Sequence, residues 1–152
     1  MNRRELLQVG TASAALLTLG ARAASPLPVV DVYKSPTCGC CGAWADHMRR
    51  AGFEVRLHVV DDVPAARKRL GMPDAYGSCH TATVGGYVVE GHVPADDVKR
   101  LLAARPAAIG LTVPGMPPSA PGMDVAERRD PYQVFLLDKR GHVTVFASYP
   151  KA

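Results

Sequence analysis

The chain has 152 residues, 47% of them hydrophobic, which is enough for one domain with a real core and too apolar for a disordered chain. Its net charge is +4, of which Arg3, Arg4 and Arg22 against Glu5 supply +2 in the first 23 residues. The remaining excess is too mild, and too evenly mixed with Asp and Glu, for a nucleic-acid-binding surface.

In chain order, the first segment reads as an address. "RRELLQ" precedes a short apolar run, Val9 to Leu19, and then "ARAAS", whose small residues at Ala21 and Ala23 suit cleavage. The pattern resembles a twin-arginine export signal over residues 1–23, and the apolar run is well short of the ~20 residues that a spanning helix needs. The mature domain is then expected over 24–152, in an oxidising, periplasm-like compartment where thiols need protection.

"LPVVDVYKS" (27–35) alternates and reads as a first strand closed by Ser35-Pro36; "GAWADHMRRA" (42–51) has helical spacing at Trp44, Met48 and Ala51. "FEVRLHVVD" (53–61) predicts a second strand and "VPAARKRLGM" (63–72) a short helix with Pro64 in its first turn. "TATVGG" and "YVVEGH" predict a hairpin and "PADDVKRLLAAR" (94–105) a helix. Residues 106–131 are expected to be a proline- and methionine-rich loop, since the prolines of "VPGMPPSAPGM" forbid a regular helix or central strand. "YQVFLLD" and "HVTVFASY", joined through Lys139, Arg140 and Gly141, predict a C-terminal hairpin over 132–149 at one edge of the sheet. The order is that of an α/β, thioredoxin-like fold of the glutaredoxin type: a mixed sheet with flanking helices, extended by the C-terminal hairpin. No repeat, phosphate-binding glycine loop or Ser-His-Asp pattern accompanies it.

Chemistry concentrates in "KSPTCGCCGAW", which holds Cys38, Cys40 and Cys41, and in "SCH", which holds Cys79 and His80. In such a fold the Cys38–Cys41 pair sits at the start of the first helix, where unpaired N–H groups and the dipole favour thiolates. The loop entering the hairpin faces it, so all four cysteines and His80 are expected to converge, with the thiols deprotonated. A structural disulfide uses only two of these cysteines. A thiol-disulfide oxidoreductase uses Cys38 and Cys41 and leaves three donors idle, while a neighbouring thiolate would trap its exchange intermediate. Zinc accepts four Cys and His ligands, but so clustered a set does not readily spread over a tetrahedron. Crowded thiolates bridge soft ions, and copper(I) is the obvious soft ion for an exported protein.

"SPTCGCCGAWADHM", "SCHTA", "VVEGHVPADDV" and "GLTVPGMPPSAPGM" together resemble the CopG-type family of periplasmic copper-binding proteins, over about residues 28–149. The resemblance implies a thioredoxin-like fold, copper as the bound metal, Cys38, Cys40, Cys41 and Cys79 as bridging thiolates for more than one ion with His80 beside them, and a role in interconverting copper oxidation states. Met116 and Met123, soft thioethers in the proline-rich loop, and His47, six positions after Cys41, are further candidate ligands. His92 is expected at the surface or behind the ligands, His58 and His142 in structural or solvent-facing positions, Trp44 in the core beside the site, and Tyr33 and Tyr76 near enough to shield it. The expected partners are copper ions and other periplasmic copper-handling proteins, for a monomer without nucleic acid or stable membrane insertion. A delivery protein with an exposed, easily exchanged site is the competing copper role.

Overall fold

A computed structural model describes residues 25–123 and 129–151. The expected export signal lies outside the described residues. The first strand is β1 (Val30–Lys34), which buries Val30, Val32 and Lys34 on alternate positions. It lies between β2 (Val55–Val59), which is parallel to it, and β3 (His80–Val84), which is antiparallel. The sheet continues through β4 (Tyr87–Glu90), β5 (Ala108–Thr112), β6 (Tyr132–Asp138) and β7 (Val143–Tyr149), in the order β2-β1-β3-β4-β5-β6-β7. β4 and β5 are parallel, and every pairing from β5 onward is antiparallel.

Three helices cover the faces. α1 (Gly39–Arg50) buries Cys41, Trp44, Ala45 and Met48, one stripe at helical spacing. α2 (Val63–Leu70) starts where the Asp62 carboxylate accepts the Ala65 N–H at 2.8 Å, and α3 (Ala95–Ala104) buries Val98 and Leu101. Trp44, Met48, Val98 and Leu101 join Val30, Val32, Val84 and Val89 in the main core. Met72, Val88 and Leu137, with Leu70 at the end of α2, form a smaller cluster. Val88 and Val89, adjacent on β4, face opposite sides of the sheet and so separate the two.

Two boundaries differ from the sequence reading. α1 begins at Gly39, three residues before its predicted start, because Cys38 already takes the extended backbone of an N-cap; the cysteine motif therefore forms the helix's first turn. β5 occupies part of the expected 106–131 loop. It is a short, almost wholly buried run between two other strands, and such a run has no polar face to give it a period of two.

Strand directions place the site. Because β3 runs against β1, Lys34 at the end of β1 pairs with His80 at the start of β3. Glu90, at the end of β4, pairs with Thr81 on one side and with Thr112, at the end of β5, on the other. The loop after β1, the entry to β3 and the exits of β4 and β5 thus share one end of the sheet.

Candidate metal centre

At that end the first turn of α1 carries three thiols. Cys38 and Cys40 are half-buried and Cys41 is buried, while Cys79, half-buried, arrives from the loop before β3. Cys79 Sγ lies 3.6 Å from Cys41 Sγ and 3.8 Å from Cys40 Sγ, and Cys40 Sγ lies 3.6 Å from Cys38 Sγ. Cys38 and Cys41 are joined as a disulfide with their Cα atoms 5.5 Å apart, and Cys40 and Cys79 are free. The expected convergence of every cysteine is what the fold produces.

Two imidazoles close the other side. His80 is fully buried, its ring 4.5 Å from that of Trp44, whose Nε1–H donates to the Val93 carbonyl at 2.9 Å. His80 Nδ1 is 3.4 Å from Cys79 Sγ, and its buried Nε2 has no hydrogen-bond partner among the described residues. His92, also fully buried, brings Nε2 to 3.1 Å from Cys79 Sγ. Its Nδ1 stands 2.7 Å from the Pro121 carbonyl. A carbonyl only accepts, so Nδ1 carries the proton and the Nε2 lone pair faces the sulfur. Candidate ligand atoms thus form two groups, each within 4.8 Å: Cys38, Cys40, Cys41 and Cys79, and then Cys79, His80 and His92.

Burial sets the protonation states. It lowers the His80 pKa to about 3, with His92 and Lys34 adding to the effect, and it lowers that of His92, so both rings are neutral and able to donate to a metal. Burial first, then Cys40 beside it, pushes the Cys79 thiol up to about 12. This corrects the expectation that all four cysteines are thiolates: Cys38 and Cys41 are joined as a disulfide, and at Cys79 burial outweighs the nearby helix start, so that without metal it keeps its proton.

The proline-rich loop lies over the site, as expected, but through its backbone. Pro121 holds His92, and Gly122, at φ +84°, passes so close to α1 that an added Cβ would stand 2.6 Å from the Trp44 nitrogen. Ser78 Oγ–H donates to the Gly115 carbonyl, tying the same loop to the residue before Cys79. Met116 is 54% exposed and Met123 is half-buried at the end of this stretch.

His47 belongs to neither ligand group. Its Nε2 accepts the Ala95 N–H at 3.0 Å, satisfying the start of α3, which has no side-chain cap of its own. His58 pairs with Asp31 and stacks on Tyr33, and His142 pairs with Asp138, all at the surface. Tyr33 is thereby engaged away from the cluster, and Tyr76 packs in the smaller core. For His92, expected at the surface or behind the ligands, the structure excludes the surface and sets the ring against Cys79. The signal for this was Gly91, whose φ of +71° turns the chain after β4 back against Ser78.

With the Cys38–Cys41 bond reduced, the donors suit a soft metal ion: four sulfurs and two neutral imidazoles, one of which, His80, has its buried Nε2 without a partner among the described residues. Two solved structures are similar over nearly their whole length. "Copper resistance protein copG", form 1, is 45% identical at a TM-score of 0.77, covering 84% of this chain and 100% of that one. Form 2 is 44% identical at a TM-score of 0.77, covering 82% and 99%. The chain belongs to the CopG copper-resistance family. Within it, residues 76–123 match a family model described as a protein of unknown function, DUF411, a span that holds Cys79, His80, His92 and Pro121. None of the curated proteins matches. No helix among the described residues is long and apolar enough to cross a membrane.

Proposed function

We propose that this protein is an exported, periplasmic copper-resistance protein of thioredoxin-like fold that takes Cu(I) as cargo at the thiol and imidazole cluster. The observation that carries the reading is the position of Cys79, which belongs to both ligand groups. A sulfur shared in this way bridges, so more than one ion is expected: one on the thiol side and one toward His80 and His92. Once a dithiol reductant has given two electrons and two protons to the Cys38–Cys41 disulfide, the half-buried Cys38 and Cys40 make first contact with an incoming ion, Cys79 gives up its proton as it ligates, and the neutral rings complete the set. Mixed sulfur and nitrogen donors also tolerate copper(II), and on that basis the site interconverts the two oxidation states by one-electron steps with a periplasmic partner. Met123 is a supplementary ligand from the overlying loop, and the protein works as a monomer. The strand order β2-β1-β3-β4, with the Cys38–Cys41 pair at the start of α1, supports the thioredoxin-like assignment.

The test is a Cu(I) titration of the reduced protein under argon against bicinchoninate. More than one tightly held ion per chain is expected, with release of protons and a change in the fluorescence of Trp44, the chain's single tryptophan. Binding of less than one ion, or a preference for zinc over copper(I), overturns the proposal. The disulfide between Cys38 and Cys41 favours a second reading, a thiol-disulfide oxidoreductase. Turnover of a disulfide substrate that survives Cys40→Ser and Cys79→Ser but not Cys38→Ser would establish it.

A further inference from the structure

One buried ion pair beside the centre contributes no ligand atom. Arg67 on α2, only 6% exposed, donates from Nε to Glu90 Oε1 at 2.8 Å, from Nη2 to the Ser78 carbonyl at 2.7 Å and from Nη1 to Asp74 Oδ1 at 3.3 Å. Glu90, fully buried at the end of β4, accepts the Ser78 N–H on the same Oε1 at 2.7 Å. Both main-chain polar groups of Ser78, the residue before Cys79, are thus held by one ion pair. The guanidinium lies against Gly77, where an added Cβ would stand 2.8 Å from its central carbon.

Stability alone is a weak reason to keep such a pair, since the desolvation of two charges offsets much of their attraction. Position explains it better. Glu90 is two residues before His92, and the intervening Gly91 N–H donates to the His80 carbonyl at 3.0 Å. The pair therefore ties the backbone that carries Cys79 and His80 to the strand end that carries His92. The strands β3 and β4 are already paired, so what the ion pair adds is to fix α2 and the loop before β3 to that pair.

We infer that Arg67 and Glu90 are positioning residues of the metal centre, fixing Cys79 Sγ against His92 Nε2 and thereby setting copper affinity without touching the ion. The inference rests on the copper reading, and two independent readouts separate its failure from a failure of that reading. The first is Cu(I) affinity of the full chain against bicinchoninate. Arg67→Met is expected to weaken binding by roughly 10–100-fold, the usual effect of losing a group that orients ligands, with the number of ions unchanged. Arg67→Lys restores only part of this, because one ammonium cannot reach three acceptors. Glu90→Gln, which keeps an oxygen for the Ser78 N–H, weakens binding less than Arg67→Met.

The second readout needs no metal: the rate at which iodoacetamide alkylates Cys79 in the reduced, copper-free chain, followed by mass spectrometry. It is expected to rise in Arg67→Met and in Gly77→Ala, which displaces the guanidinium while leaving every charge in place. Should Arg67→Met fail to fold, Glu90→Gln and Gly77→Ala decide the matter. Folded variants with wild-type copper affinity and wild-type alkylation, even if less heat-stable, overturn the inference. A wild-type chain that binds no copper sinks the copper reading alone, and the alkylation rates still decide whether the pair positions Cys79.

Discussion

Cys38, Cys40 and Cys41 come from four consecutive positions at the start of α1 and leave two of their three side chains partly open to solvent. His80 and His92 come from the entry of β3 and the exit of β4, are fully buried, and owe their orientation to Trp44 and Pro121. One half of the centre is a short motif that an ion can reach; the other is a dry, preset pair of nitrogens. Cys79 touches both, so in the copper reading the half-buried thiols, once reduced, do the capturing and the buried rings fix the geometry that capture ends in.

The largest effect should come from removing the residue the halves share. Cys79→Ser is expected to lower Cu(I) affinity by more than the roughly 100-fold that marks the upper end for a lost orienting group, and to remove at least one bound ion. Competition titration beside Cys40→Ser checks this; equal losses in the two variants would mean that the halves bind independently.

Acid and alkali should separate the halves in the metal-free protein. An unfolded histidine protonates near ~6.5, whereas folded His80 does so at about 3. Between these values the unfolded chain binds more protons, so the stability present above the upper value is lost on acidification, by up to about 1.4 kcal/mol per pH unit. Cys79 acts in the opposite direction: its raised pKa keeps a proton that the unfolded thiol has shed, so stability falls as pH rises above the ordinary thiol range. Urea unfolding across pH should show both limbs, with His80→Gln flattening the acid limb and Cys79→Ser the alkaline one.

Smaller effects mark the edge of the site. His47→Ala removes the acceptor at the start of α3 and should cost about 1 kcal/mol, as a lost helix cap does, with the copper number unchanged. A loss of bound copper would return His47 to the ligand set. Met116→Ser, at an exposed position, should change stability by less than about 0.5 kcal/mol and leave copper loading as it is. Loss of an ion in that variant would show that the loop folds its thioether onto the centre.

β1 was legible because it buries alternate positions and α1 because it keeps one apolar stripe, whereas β3 and β4, buried almost throughout, were legible as runs rich in threonine and valine on either side of the Gly85-Gly86 turn. β5 escaped because its buried run, without alternation, has no glycine turn beside it to mark a hairpin and leads into a proline-rich stretch. Within the site, the thiols were legible as spacing along the chain, and the entry to β3 as a Cys-His pair. His92 was not, since "EGH" after a strand looks like any polar turn until Gly91 folds it inward. Arg67 and Glu90 gave no signal at all: charges 23 positions apart on a helix and a strand become a pair only through packing.

The sequence by itself determined which soft donors the protein owns and that three of them share one helical turn, because local spacing needs no long-range contact to be read. Only the tertiary structure decided that His92 joins them, that His47 is taken by α3, and that Cys79 keeps its proton. Those outcomes depend on burial and on which strand ends meet, and burial arises between segments far apart along the chain.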